Sequence, residues 1–230
     1  MTIKDKALIL TGVARIGQDV AKALIDKGVK IAVTYMTTKP ELGESVLYIR
    51  ADLTDSKQVA DVVSKTKKHY GHIDGLIHMA AIYKATPWSS LSEKDWDENM
   101  NVIAKSAFLV AKTVADEMKQ GKIILISDWS VMTQPYKDYL PYNVAKSAIQ
   151  GLTKSLAKEL APNILVNCIA PGPILKPADF SDEDNAEVLK STPLQKWGGA
   201  EEISKTVLYL LEADFVTGQV LFVDGGRSIA

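Results

Sequence analysis

The sequence is poor in the residues that mark a disulfide scaffold, a metal centre or a membrane span. It holds a single cysteine, Cys168, inside the apolar run ILVNCIA, so no internal disulfide can form and a buried structural thiol is expected. Of its three histidines, His69 and His72 stand near a helix end without further ligands around them, and no metal site is assigned. No apolar run reaches the roughly 18 to 20 residues that a spanning helix needs. Basic and acidic side chains, 27 and 28, nearly cancel, which removes the long-range field that would recruit nucleic acid or an anionic membrane. The opening MTIKDKALILTGVA reaches a Thr-Gly turn without a cleavage-site pattern, and a cytoplasmic location is expected.

What the sequence does have is alternation. Seven short apolar runs (6–10, 29–35, 45–49, 74–80, 122–127, 164–169 and 219–223) are separated by helical patterns near 16–27, 56–70, 92–118, 141–161 and 201–212. Asp55 or Ser56 is placed to cap the second helix. Strands apolar on both faces that alternate with helices predict a doubly wound α/β fold, with a seven-stranded parallel sheet covered on both sides. The length, 230 residues, and the absence of a repeat or linker favour one domain. Only 171–199 interrupts the rhythm: PGPILKP and TPLQKWGG bracket a short acidic segment, ADFSDEDNAEVLK, expected to form a substrate flap or a static surface excursion.

Directly after the first strand comes Thr11-Gly12-Val13-Ala14-Arg15-Ile16-Gly17, then a helix. Glycines there allow a tight turn and bring a pyrophosphate close to helix amides, although Gly12 and Gly17 could equally serve turn and packing alone. No Gly-Lys-Ser/Thr follows, which disfavours a nucleotide-hydrolysing loop. Where an NAD site carries an acid after strand two, this chain reads Thr34-Tyr35-Met36-Thr37-Thr38-Lys39. With no carboxylate to repel a 2′-phosphate, and with Arg15 and Lys39 to pair with one, NADP is expected; the alternative for Arg15 is a solvated surface cation. Asp52-Leu53, after strand three, would lie beside an adenine ring, or Asp52 would close a turn.

Tyr142 and Lys146 stand four apart on a predicted helix, which puts phenol and ammonium on one face. The ammonium is expected to lower the phenol's pKa from about 10 and so tune it for proton transfer. Together, the glycine turn, Asp52-Leu53, Tyr142 through Lys146, Pro171-Gly172-Pro173-Ile174, Val216-Thr217-Gly218-Gln219 and Val223-Asp224-Gly225-Gly226 resemble the short-chain dehydrogenase/reductase family. That resemblance implies Tyr142 as proton donor, Lys146 on the nicotinamide ribose and Ile174 near the carboxamide. It further implies a homodimer or homotetramer built on the two long helices.

Several positions depart from the family pattern. The glycine turn is one residue short and carries Arg15, as in the pteridine-reductase-like subgroup. His78-Met79-Ala80-Ala81 replaces Asn-Asn-Ala-Gly, leaving Ala80 to keep the backbone contact. Asn101 is the nearest candidate for the relay asparagine, although alignment on Phe108 puts Ile103 there. Aligning Ile126-Ser127 puts Asp128 where the family has its catalytic serine, with Ser130 as rival; a carboxylate accepts hydrogen bonds and suits the N–H groups of a heterocycle, unless it is purely structural. Tyr83, Trp129, Phe180 and Trp197 are candidates for a flat apolar pocket. The expected function is NADP-dependent hydride transfer to a carbonyl or pterin-like imine acting as a small-molecule substrate, with Tyr142, Lys146 and Asp128 as the catalytic residues. The alternatives are an NADP-binding sensor or scaffold without turnover and, last, a methyltransferase using S-adenosylmethionine.

Overall fold

Why the strands read as unbroken apolar runs is visible in the computed structural model, which describes residues 3–230. Strands β1 (Ala7–Thr11), β2 (Lys30–Tyr35), β3 (Leu47–Arg50), β4 (Gly75–His78), β5 (Gly121–Ile126), β6 (Ile164–Pro171) and β7 (Val220–Val223) form one sheet ordered 3-2-1-4-5-6-7. Every pairing is parallel. Side chains alternate between two cores. Ile9, Leu76, Ile123 and Leu125 face one side, while Leu8, Leu10, Ile77 and Ile124 face the other. Each of these leucines and isoleucines is buried, a contribution of roughly 1.5–3 kcal/mol apiece.

On the first face lie α2 (Ser56–Tyr70), α4 (Ser106–Glu117) and α5 (Leu140–Leu160), through residues such as Val59, Val62, Val110, Val114 and Ile149. Helices α1 (Ile16–Asp26) and α7 (Ala200–Glu212) cover the second, through Val20, Leu24, Ile203 and Val207. Asp55, not Ser56, caps α2: its carboxylate accepts from the Lys57 amide, and Gly71 ends the helix in the left-handed region at φ 83°. The short α6 (Asp182–Lys190) begins with a Ser181/Asp184 capping box and has no buried residue.

The helix expected over 92–118 is not continuous. Helix α3 (Glu93–Asn99) passes through a π-helical turn at Met100–Lys105 before α4 begins. Chain direction is kept across the turn, so the apolar pattern gives no sign of the change. The strand order reverses between β1 and β4, which leaves a crevice at their C-terminal ends.

Candidate active site

That crevice opens into a cleft of about 410 Å³. Gly12, Arg15, Ile16 and Gly17 line one part of it, and Asp128, Tyr142, Lys146 and Ile174 line another. Gly12 sits at φ +68°, and a Cβ there would meet the Met79–Ala80 peptide at 2.4 Å. Only glycine lets the turn lie that close to the end of β4. Arg15 precedes α1 at φ 47°, exposed at the rim.

His78 ties the same turn to the helical face. Opposite Thr11 in the register, it is fully buried, with Nδ1 3.1 Å from the Thr11 hydroxyl and Nε2 3.2 Å from the Ser106 hydroxyl. Ser106 donates to the Val102 carbonyl inside the π turn, so its oxygen accepts from His78 Nε2–H. The Thr11 oxygen accepts from the amides of Met79 and Ala80, and its proton goes to Nδ1. Ala80 thus meets the turn through its backbone. Burial, then the nearby Lys146 charge, hold the His78 imidazole neutral, with a pKa of about 3.

Helix α5 carries Tyr142 and Lys146 against the end of β5. Ser127 fixes that approach: its hydroxyl donates to the Lys146 carbonyl at 2.8 Å and lies 3.2 Å from Gln150 Nε2. Lys146 is buried, and its ammonium donates to the Ile126 carbonyl at 2.8 Å. Burial brings its pKa down to about 8, against the upward pull of Asp128. Two of its three N–H donors have no protein partner among the described residues.

Tyr142 corrects the sequence expectation. Its hydroxyl donates to Asp128 Oδ2 at 2.7 Å, and Lys146 Nζ lies 6.0 Å from the ring centroid. Burial, followed by the Asp128 charge, pushes the phenol well above its usual value, opposite to the lowering expected from the sequence. The other carboxylate oxygen, Oδ1, accepts from the Ser130 amide at 2.9 Å and the Ser130 hydroxyl at 2.8 Å. Asp128 therefore faces Tyr142, and fully buried Ser130 stands behind it as a support.

Other expected residues fall outside the cleft lining. Tyr35 ends β2, half-buried, beside Arg50 in the register. The Asp52 carboxylate is committed to a turn, accepting from the Thr54 amide and hydroxyl, and Leu53 packs on the core. Lys39 stacks over the Tyr48 ring at 4.3 Å. Asn101 lies in the π turn, with Ile103 buried. The Cys168 thiol is buried, and burial raises its pKa to about 11.

Tyr83, Trp129, Phe180 and Trp197 all line the cleft. Tyr136, Tyr139 and Arg227 join this region without having been singled out from the sequence. Tyr83 stacks on Tyr139 at 4.5 Å and meets Tyr142 edge-on at 5.0 Å. Trp129 Nε1 donates to the Tyr136 hydroxyl at 2.8 Å. The three-residue spacing of Tyr136, Tyr139 and Tyr142 was the available signal. The result is a cleft with flat aromatic walls and one carboxylate at the phenol that could transfer a proton.

Among the described residues, no helix is long and apolar enough to cross a membrane. A family model described as enoyl-(acyl carrier protein) reductase matches residues 12–228. The (2S)-[(R)-hydroxy(phenyl)methyl]succinyl-CoA dehydrogenase subunit BbsD of Thauera aromatica is 33% identical, covering 100% of this chain and 99% of that protein. The 3-oxoacyl-[acyl-carrier-protein] reductase FabG of Escherichia coli is 30% identical over 98% of each. Thermoplasma acidophilum aldohexose dehydrogenase superposes with a TM-score of 0.92 at 28% identity, covering 99% of this chain and 96% of that one. Sheet order, the paired Tyr142 and Lys146, and these likenesses agree: the chain belongs to the short-chain dehydrogenase/reductase family of oxidoreductases.

Proposed function

We propose that this protein is an NADP-dependent reductase of carbonyl or imine groups in planar, nitrogen-bearing substrates of pterin-like shape. The family uses a nicotinamide dinucleotide, and the residues present fit one. Gly12 gives the close backbone approach, α1 starts at the turn with its Ile16 amide outside the turn's backbone hydrogen bonds, and buried Lys146 keeps two donors for ribose hydroxyls. Ile174, buried at the cleft wall, is the residue for the carboxamide side. When bound, the nicotinamide supplies the hydride. NADP is supported by the lack of any acid over Thr34–Lys39 and by two exposed cations, Arg15 just before α1 and Arg50 at the end of β3. Arg50 also holds the neighbouring loop through its bond to the Met36 carbonyl at 3.0 Å.

Tyr142 gives its proton to the substrate oxygen or nitrogen as negative charge develops there. While its hydroxyl is bound to Asp128, the phenol is tied to the carboxylate and is a weak acid. A substrate that offers N–H donors to Asp128 shares that charge and frees the phenol, whereas a simple ketone does not. The Tyr142–Asp128 hydrogen bond is the observation that carries this reading. Segment 171–199 is proposed as the flap over the substrate. Assembly of copies is proposed through α4 and α5, where Phe108 and Val144 are exposed.

The test is Tyr142→Phe. NADPH oxidation with dihydropterin substrates should fall by about 10²–10⁴-fold while NADPH binding persists. Undiminished turnover would remove Tyr142 from the proton route.

A further inference from the structure

The cleft has a cationic corner that the proton chemistry does not use. Arg227 opens the short 3-10 turn Arg227–Ile229 and lines the cleft beside Trp129 and Val188. Its guanidinium carbon lies 5.1 Å from the centroid of the Trp129 ring, a stack that fixes one face. Nη1 donates to the Val188 carbonyl at 3.0 Å and lies 3.4 Å from the Thr192 hydroxyl. Nε and Nη2 have no protein partner among the described residues, and no carboxylate there is within ion-pair distance. The Nε–Nη2 edge is the fork that grips a carboxylate through two parallel N–H bonds.

The cleft lining holds two other cations, Arg15 on the glycine turn and Lys146 beneath the phenol. Arg227 stacks on Trp129, and Phe180 and Trp197 line the same cleft. One guanidinium with one free fork matches a single carboxylate better than a doubly charged phosphate.

Resting on the reductase reading above, we infer that Arg227 anchors the substrate. The substrate class is then a planar ring compound that offers N–H groups to Asp128 and carries a carboxylate at its far end. Tethered on Nη1 and stacked on Trp129, the guanidinium is held ready, so little side-chain freedom is lost when the carboxylate arrives.

The probes are isatin, a planar N–H ketone, and its ring carboxylates, titrated calorimetrically into protein saturated with the oxidised nicotinamide nucleotide, so that no turnover occurs. At least one carboxylate should bind about tenfold tighter than isatin or better. In Arg227→Gln that ratio should collapse towards one. Arg227→Lys, which keeps the charge without the fork, should retain only part of it and decides the matter if the Gln variant does not fold. A wild-type ratio near one for every carboxylate, or a ratio unchanged in the variants, overturns the assignment. A residue that merely clamped α6 would weaken both ligands alike and leave the ratio intact, which also overturns it. Turnover of the same compounds with NADPH is scored separately: tight carboxylate binding without reduction would sink the reductase reading and spare the anchor.

Discussion

The hydroxyl of Tyr142 is bound by the carboxylate of Asp128, 2.7 Å away, on a helix that also buries Lys146. An acid whose proton is already held by an anion must be released before it can act. On the function proposed above, substrate preference and proton donation would be coupled through one oxygen, Oδ2.

Replacing the carboxylate breaks that coupling. Asp128→Ser should bring the Tyr142 pKa down towards its usual value, because the neighbouring charge disappears. The ratio of kcat/KM for a simple ketone to that for a dihydropterin should rise by about tenfold or more, the worth of one charged hydrogen bond. An unaltered ratio would show that Asp128 does not select the substrate.

A second consequence concerns alkaline pH. With Lys146 at about 8, the ammonium is protonated below that value and is lost above it, while the phenol stays protonated throughout. Because kcat/KM reports groups of the free enzyme, it should fall above about pH 8. Lys146→Arg should remove this limb, since a guanidinium does not titrate there. A wild-type profile level to about pH 9.5 would contradict the assignment.

His78 imposes an acid limit on stability. Its folded pKa, about 3, lies below the ordinary 6.5. Between those values the unfolded chain binds a proton that the native chain refuses, so this group costs stability as pH falls from 6.5 towards 3. Relative to His78→Asn, the wild-type unfolding free energy should drop with a slope of up to about 1.4 kcal/mol per pH unit. Urea titrations of both proteins from pH 7 to 4.5 would read this, and parallel curves would dismiss it.

Cofactor choice can be read in binding alone. Arg15→Ala should weaken NADPH by about tenfold or more while changing NADH far less, as expected for loss of a phosphate partner. Arg50→Ala should act in the same direction. Equal losses for both nucleotides would mean that these arginines hold the loops and not the 2′-phosphate.

Strands and most helices were legible because a parallel sheet buried on both faces must be written as apolar runs, as in Leu8–Leu10 and Ile123–Ile126. The π turn at Met100–Lys105 was not, since one extra residue in a helical turn leaves composition unchanged. That Tyr142 and Lys146 share one helix was legible from the sequence, but the state of the phenol was not. It depends on where the loop after β5 aims Asp128, and on Ser130 holding the other oxygen. Arg227 was hidden for a similar reason: its surroundings come from Trp129 and α6, far away in sequence.

The reversal of strand order between β1 and β4 gathers one cleft from both halves of the chain. Gly12, Arg15 and Arg50 precede β4, whereas Asp128, Trp129, Tyr142 and Arg227 follow it. On the reading proposed above, the later half carries both the substrate walls and two nucleotide contacts, Lys146 and Ile174, so selection for a new substrate can edit Asp128, Trp129 and Arg227 only while those two stay in place.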